Sequence, residues 1–211
     1  MNVSTLVWDT LVADEREVVR TAEVSELARR LGKEPAHVAT TLVRAGRLVP
    51  LFKGYYYVRR PDEMGLRRPR HNALELFAMG ARAKRIGRWY FGLETALRLN
   101  EMTHDDRGLE FVIDERLFRP AGVRVGLRRF VILRWSAHLL TFGLRRDGPL
   151  RWSGPEKTLM DIAFHESNLA ARGRPPPGLW REHIETVSAR TMRSYFPHYP
   201  ERVRTEVAKW T

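Results

Sequence analysis

Small polar and basic side chains recur at helical spacing after position 33, and their chemistry suits contacts to a nucleic acid. The outward positions of the predicted helix are Ala36, His37, Thr40, Thr41 and Arg44. In a helix that enters a DNA major groove, the N-terminal residues contact base edges, which here are Ala36 and His37. Thr40 suits a thymine methyl group or a phosphate, and Arg44, near the end of the helix, suits a phosphate.

Further cations flank this helix and could hold a phosphate backbone. Lys33 precedes it, at a helix start whose backbone N–H groups also attract anions. Lys53 lies at a predicted hairpin turn, and Arg59 and Arg60 follow the hairpin, where they could contact the backbone or the minor groove. The outward helix positions lack Asn, Gln and multiple Arg side chains, which read bases most strongly. We therefore expect modest specificity, or specificity that comes from dimerisation and DNA shape.

Two helices and a hairpin would position these side chains. The first helix has an apolar face at i, i+3, i+4 and i+7, formed by Val24, Leu27, Ala28 and Leu31. Gly32 suits its end, Pro35 suits the first turn of the second helix, and Gly46 suits the end of that helix. Two β-rich segments, 48–52 and 55–58, then flank a tight turn. This order predicts a winged helix-turn-helix, a module that places its second helix in a DNA major groove.

The rest of the chain predicts a linker and a second domain. Residues 61–70 combine Pro, Gly and Arg, which argues against a regular element. Beyond them, apolar patterns predict a helix over 71–85 and strands over 109–113, 123–127, 130–133 and 139–142. The predicted fold class is α+β, with a winged helix-turn-helix domain over 1–60, the linker over 61–70, and a mixed α/β domain over 71–211.

A further helix is predicted after position 153. Ser153 and Glu156 have the spacing of a capping box, in which each side chain accepts a hydrogen bond from the other residue's backbone. Lys157, which follows, is predicted on the solvated face of this helix.

The composition favours a polyanionic partner. The formal net charge is +12 and the isoelectric point is about 10.7. Residues 1–70 contain 13 basic and 9 acidic side chains, and residues 71–211 contain 24 and 16. The second half therefore either contacts nucleic acid as well or faces an acidic partner. Codon usage in a GC-rich genome would also produce such an Arg-rich, Lys-poor composition without any function.

Several classes of chemistry lack support in the sequence. There is no Cys, which excludes disulfides and thiolate chemistry. Without a signal-like segment or an apolar run of about 20 residues, we expect a cytoplasmic protein that does not contact membranes. The histidines have no metal-binding spacing, and no phosphate-binding glycine loop is present. Asp105-Asp106 and Asp114-Glu115 flank a strand, and we interpret them as solvated loop acids. We expect no enzymatic activity, no cofactor and no metal.

Three segments carry a resemblance to a known family. Residues 46–56 follow a pattern of Gly, hydrophobic residues, Lys-Gly and Tyr. Residues 90–97 follow Y-x-G/S-x-x-S/T-A-L, and residues 153–161 follow S-x-x-E-K/R-T/A-L-hydrophobic-D. In order and spacing they resemble the AbiE-type (AbiEi) antitoxins and transcriptional regulators of bacterial and archaeal type IV toxin–antitoxin systems, across residues 6–165.

The resemblance implies a two-domain antitoxin of an abortive-infection system, a form of phage defence. Its N-terminal domain would bind repeats of double-stranded DNA in its own promoter, as monomer or homodimer, and repress the operon. Its C-terminal domain would counter a nucleotidyltransferase-type toxin encoded beside it, without a stable complex being required.

Two other functions stay open at this point. One is a stand-alone winged-helix transcriptional regulator whose C-terminal domain senses a ligand or dimerises. The other is an enzyme that acts on nucleic acid and uses the winged helix for delivery, with Asp114 as its candidate carboxylate.

Overall fold

The α+β fold class expected from the sequence is confirmed in a computed structural model, which describes residues 3–32, 34–66, 68–174 and 177–211. The chain forms two units. The first comprises Met1–Ile86 and Val123–Arg129, and the second comprises Gly87–Gly122 and Phe130–Thr211. Among the described residues, no helix combines the length and apolar character that a membrane span requires.

The first unit packs helices against a small antiparallel sheet. Its elements are α1 (Val3–Ala13), β1 (Val18–Arg20), α2 (Thr21–Arg30), α3 (Val38–Arg44), β2 (Leu48–Phe52), β3 (Tyr55–Val58), a 3-10 turn (Pro61–Glu63) and α4 (Ala73–Ala83). The strand order is β1–β3–β2, with Val18 opposite Tyr57 and Leu48 opposite Val58. Strand β3 is therefore paired on both sides, and its turn to β2 projects from one end of the sheet.

The apolar face of α2 forms the centre of this unit. Of the four positions expected on this face, Val24 and Ala28 are completely buried, and Leu27 and Leu31 are partly buried against them. They pack in one cluster with Leu42 of α3, Leu48 of β2 and Val58 of β3. Burial of each large aliphatic side chain contributes about 1.5–3 kcal/mol, so this cluster fixes the positions of α3 and the hairpin together.

Helix α3 begins later than the sequence predicts. Its first helical residue is Val38, not a residue near Pro35. His37 has φ +64°, and its carbonyl accepts a hydrogen bond of 2.8 Å from the N–H of Thr41. A left-handed residue cannot continue a right-handed helix, so His37 caps α3 from outside it.

Helix α4 belongs to the first unit because it packs closely on the β2–β3 hairpin. A Cβ added to Gly80 would lie 2.8 Å from the ring of Phe52 and 2.9 Å from Leu51 Cβ. The rings of Phe52 and Phe77 meet edge to face, with centroids 5.3 Å apart. The absence of a side chain at Gly80 therefore sets how closely helix and hairpin approach.

The expected linker over residues 61–70 is organised around a buried carboxylate. Glu63 accepts hydrogen bonds from the hydroxyl of Tyr57 at 2.9 Å and from the backbone N–H groups of Arg60, at 2.6 Å, and Arg70. Burial raises the pKa of Glu63, but these hydrogen bonds outweigh it and hold the pKa below its usual value. The two units consequently do not divide at this segment, and the first extends to Ile86.

The second unit places helices against a larger mixed sheet. Its elements are β4 (Trp89–Phe91), α5 (Leu93–Leu99), β5 (Leu109–Asp114), β6 (Arg119–Val125), β7 (Arg128–Arg134), β8 (Leu144–Asp147), β9 (Leu150–Ser153), α6 (Pro155–Ala170), α7 (Ala189–Ser194) and α8 (Glu201–Ala208). The strand order is β6–β7–β5–β4–β9–β8, in which β4 and β9 are parallel. The tip of the β6–β7 hairpin, Val123–Arg129, is the part grouped with the first unit.

One expectation for this unit is wrong, and one of its hairpins was not predicted. The strand predicted over 139–142 lies instead at a 3-10 helix, Ala137–Leu140, where Leu139 and Leu140 are buried. A short run of apolar residues does not distinguish a strand from a buried helical turn. The β8–β9 hairpin was not predicted, because its alternation is hidden by arginines on both strands.

Helix α6 also begins differently from the prediction. Its cap is Gly154, with no side-chain hydrogen bond, so the expected capping box is absent at this described position. The hydroxyl of Ser153 pairs with that of Thr158 at 2.8 Å, and the carboxylate of Glu156 accepts from the backbone N–H of Ser188 at 3.3 Å. Lys157, predicted on a solvated face, is completely buried.

Lys157 is buried within a polar and aromatic cluster. Its Nζ lies 3.0 Å from Asp161 Oδ1 and faces the ring of Phe142 at 4.5 Å. Asp161 also accepts hydrogen bonds from the hydroxyls of Tyr90 at 2.9 Å and Tyr199 at 2.6 Å. Burial lowers the pKa of Lys157 and raises that of Asp161, and the attraction between the two charges opposes both shifts.

Candidate nucleic-acid interface

A cleft of about 1070 Å³ lies in the first unit, between helix α3 and the β2–β3 hairpin. Its described lining residues are Thr40, Val43, Arg44, Pro50, Leu51, Phe52, Lys53, Gly54, Tyr56, Val123 and Arg124. Thr40 and Arg44 are four residues apart and therefore lie on one face of α3. Lys53 reaches the cleft from the hairpin turn, where Gly54 takes φ +80°. The structure thus brings together three of the residues selected from the sequence.

The cleft carries positive charge that its surroundings do not neutralise. Arg44, Lys53 and Arg124 are exposed, and their side chains make no ion pair or hydrogen bond with any described residue. None of the described residues lining the cleft is acidic. An anion with several phosphates could therefore contact these cations without displacing a carboxylate.

The groove beside helix α2 is different, because its arginines already have partners. Arg29 and Arg30 lie 2.8 Å and 3.2 Å from the carboxylate of Glu26. Arg16 pairs with Glu23 in the same way. Exposed pairs of this kind contribute little to stability, but they leave much less net charge to attract a polyanion.

Two residues of the cleft were missed in the sequence. Arg124 is distant in the chain, on the β6–β7 hairpin, and nothing local places it beside Lys53. The period-two pattern of 123–127 predicts that Arg124 points outward, but it does not predict that Lys53 lies near. Tyr56, in strand β3, is half-buried and lines the cleft.

Three of the selected residues are exposed without lining the cleft. Ala36 and His37 lie in the turn before α3, not in its first turn as expected, and Thr41 lies on the helix beside the cleft. The left-handed backbone of His37 directs the chain away from the helix axis before α3 begins. Lys33 lies outside the described residues.

Arg59 is not available to a ligand, contrary to the prediction. It is only 9% exposed, and its guanidinium donates to the backbone carbonyls of Gly46, at 3.1 Å, Glu63, and Leu66, at 2.7 Å. Its role is to hold the segment after β3. Arg60 is half-buried and donates to the carbonyl of Val12 at 2.9 Å, so it too has a structural contact.

The carboxylates beside strand β5 organise turns. Asp114 is buried, not solvated as predicted, and accepts hydrogen bonds from the backbone N–H groups of Arg116 at 2.7 Å and Leu117 at 2.6 Å. Asp106 accepts from the N–H of Gly108 at 3.0 Å. Within the described parts of the chain, no group of His, Asp and Glu is arranged to hold a metal ion.

Comparison with known proteins identifies a fold neighbour but no family. No protein-family model matches the sequence, and no curated protein is significantly similar to it. The fold is similar to the crystal structure of the RV2827C protein from Mycobacterium tuberculosis, with a TM-score of 0.64 and 16% sequence identity. The similarity covers 95% of this chain and 73% of that chain. At this identity it concerns the fold alone, because one fold can serve many functions.

Proposed function

We propose that the first unit is a winged helix-turn-helix that binds double-stranded DNA through the α3 cleft. The observation that carries this proposal is the set of three unpaired cations, Arg44, Lys53 and Arg124, in a cleft whose described lining has no acid. Helices α2 and α3 are the helix pair, and the β2–β3 hairpin is the wing. Helix α3 enters the major groove in this arrangement.

The chemistry of the cleft residues assigns them different tasks on DNA. Arg44 and Lys53 bind phosphates at the cleft and set the position of the helix, but they carry little sequence information. Thr40 and Thr41 face the bases, where a threonine can contact a thymine methyl group or a hydrogen-bonding edge. His37, exposed in the turn before α3, has a ring that can make a directed hydrogen bond to a base edge.

The wider proposal is that the protein is a cytoplasmic, sequence-specific autorepressor and the antitoxin of a type IV toxin–antitoxin system. It is supported by the order and spacing of the three sequence segments that resemble AbiE-type antitoxins. The toxin it counters would be a nucleotidyltransferase encoded beside it, and the second unit would provide the protection.

DNA binding is tested with the full chain and the region upstream of its own gene. Fluorescence anisotropy should show tighter binding to this DNA than to a scrambled duplex at the same salt concentration. Arg44→Ala/Lys53→Ala should weaken binding by roughly 60-fold near 0.1 M salt, since each lost phosphate contact costs nearly one order of magnitude there. Arg29→Ala/Arg30→Ala removes the same charge from the α2 groove and is the matched control.

The outcomes separate three situations. Preference of the wild-type chain for the upstream DNA, with affinity lowered only in the cleft variant, supports the autorepressor. Equal weakening in both variants would contradict the assigned surface, because only total charge would then matter. Equal affinity for both duplexes would contradict sequence-specific binding and reduce the interaction to phosphate attraction.

The antitoxin role is tested by co-expression with the adjacent gene. If that gene encodes a nucleotidyltransferase that stops growth, the wild-type chain should restore growth, and so should the Arg44→Ala/Lys53→Ala variant when both genes are driven by external promoters. A toxic neighbour that the wild-type chain cannot counter, or a neighbour that is not toxic, would contradict the antitoxin proposal and leave the DNA-binding proposal intact.

A further inference from the structure

The second unit contains a cleft of about 550 Å³ beside helix α5, and the function proposed above does not use it. Its described lining residues are Glu94, Leu97, Arg98, Thr103, Asp105, Arg107, Leu109, Phe111 and Leu179. Four of these nine residues are aliphatic or aromatic, and the other five are polar or charged. Small-molecule sites commonly combine apolar walls with a few polar groups.

Glu94 is the charged group that distinguishes this cleft. Its side chain is mostly removed from solvent and makes no ion pair or hydrogen bond with another described residue. Burial raises the pKa of Glu94, and the charge of Arg107 offsets this only in part. A carboxylate in such surroundings gains more from a positively charged ligand than a solvated carboxylate does.

The two arginines that line the cleft neutralise Glu94 only in part. Arg98 lies one helical turn away, but its guanidinium pairs with the buried carboxylate of Glu110 at 2.7 Å. Arg107 is 80% exposed and lies 3.9 Å from Asp105, which is equally exposed. Both cations therefore have carboxylates of their own.

A second carboxylate adds negative charge near the cleft. Glu166 of helix α6 is buried and accepts a hydrogen bond from the N–H of Leu179 at 2.9 Å, and Leu179 is a wall residue. Burial raises the pKa of Glu166, the backbone hydrogen bonds and the charge of Arg181 oppose this shift, and the proximity of Glu94 adds a smaller increase. Two partly desolvated carboxylates thus face this side of the unit.

The backbone at the cleft is held in an unfavourable conformation. Leu93, immediately before Glu94, has φ +51° and is completely enclosed. A branched side chain in the left-handed region costs about 1–3 kcal/mol, and such strain persists where the surroundings impose it, often at ligand sites.

We propose that this cleft binds a small organic amine whose ammonium group contacts Glu94 and whose apolar body packs on Leu97, Phe111 and Leu179. A metal ion fits less well, because Ca²⁺ and Mg²⁺ require several oxygen ligands and the described residues contain no group of acidic and His side chains arranged to hold one. An anion would face two carboxylates. The site does not depend on DNA binding by the first unit.

The test measures binding of three isosteric probes to the full chain by titration calorimetry at neutral pH. The probes are isoamylamine, isoamyl alcohol and isocaproate, which share a branched apolar body and differ in the charge of the head group. The amine should bind at least roughly tenfold more tightly than the alcohol and the carboxylate. Equal affinity for all three, or no binding of the amine up to about 10 mM, would overturn the proposal.

Two variants locate the site. Glu94→Gln keeps the shape of the side chain and should weaken amine binding by roughly tenfold, while binding of the alcohol is unchanged. Asp105→Asn removes a solvated carboxylate from the rim of the same cleft and should change amine affinity by less than about twofold. An equal loss in both variants would show general charge attraction and refute the assignment. If Glu94→Gln does not fold, as judged by circular dichroism, the probe comparison on the wild-type chain decides.

Discussion

Removal of either charge from the buried Lys157–Asp161 pair should destabilise the second unit, but by unequal amounts. Asp161→Asn leaves an ammonium group in the interior without a carboxylate beside it. The new amide oxygen can still accept a hydrogen bond from Nζ but carries no full charge, and the other described contacts are the hydroxyl of Tyr199, 3.3 Å from Nζ, and the rings of Tyr90, Phe142 and Tyr199. Lys157→Met leaves a carboxylate that keeps two hydroxyl donors, from Tyr90 and Tyr199. The orphaned lysine is therefore the costlier of the two defects.

The expected magnitudes follow from these contacts. Breaking a buried ion pair by removing one partner costs about 3–5 kcal/mol, and Asp161→Asn should lie in this range. Lys157→Met should cost about 1–3 kcal/mol, because methionine packs well on aromatic rings and the remaining carboxylate has charge-assisted hydrogen bonds. The double variant leaves no unpaired charge, so it should lower the free energy of unfolding by less than Asp161→Asn alone does.

The measurement is equilibrium urea unfolding at neutral pH, with circular dichroism and tryptophan fluorescence as separate probes because the protein has two units. The coupling free energy from the double-mutant cycle should be clearly nonzero. Two results would refute the argument that the unpaired buried ammonium accounts for most of the destabilisation. One is that Asp161→Asn lowers the free energy of unfolding by no more than Lys157→Met, and the other is that the effects of the two substitutions simply add.

Three further outcomes are expected. Arg124→Ala should lower the slope of log K against log salt concentration for upstream DNA by about 0.9, and an unchanged slope would remove this residue from the interface. Because the folded-state pKa of Glu63 lies below its unfolded value, the carboxylate stabilises the fold at higher pH and this stabilisation is lost as the pH falls below about 4.3. The acid-unfolding profile of Glu63→Gln, followed by circular dichroism, should therefore be flatter than that of the wild type, and an equally steep profile would contradict this role. Gly80→Ala should lower the midpoint of thermal unfolding despite the better helix propensity of alanine, because its Cβ would lie 2.8 Å from the ring of Phe52. Gly65→Ala, which would meet nothing within 4 Å, is its control, and equal midpoints would show that the hairpin can shift to accommodate the methyl group.

The parts of the fold that could be predicted are those whose signal is local. The inward spacing of Val24 and Ala28 depends only on helix geometry, and both are buried. The β2–β3 hairpin was predicted from two β-rich segments around a glycine turn, and the strands lie at 48–52 and 55–58 as expected. Such patterns need no knowledge of the rest of the chain.

The predictions that are wrong concern charged residues whose partners are distant or lie on the backbone. Arg59 was assigned to DNA because a charged residue after a hairpin is usually exposed, yet three backbone carbonyls hold it inside. Lys157 was assigned to a solvated face, yet it lies beside Tyr199, which is 42 positions further along the chain. Residue type alone does not show whether a cation has found an internal partner.

Whether a charged residue has an internal partner also decides what the family resemblance can support. In the segment 153–161, the residues that match the pattern include Ser153, Lys157 and Asp161, and all three are buried in hydrogen-bonded contacts. Their chemistry stabilises the second unit, so another protein with this segment would share its fold without necessarily sharing its partner. The exposed cations of the α3 cleft are not required for folding in this way. Substitution of these cations, with the buried segment unchanged, therefore tests the function without disturbing the fold.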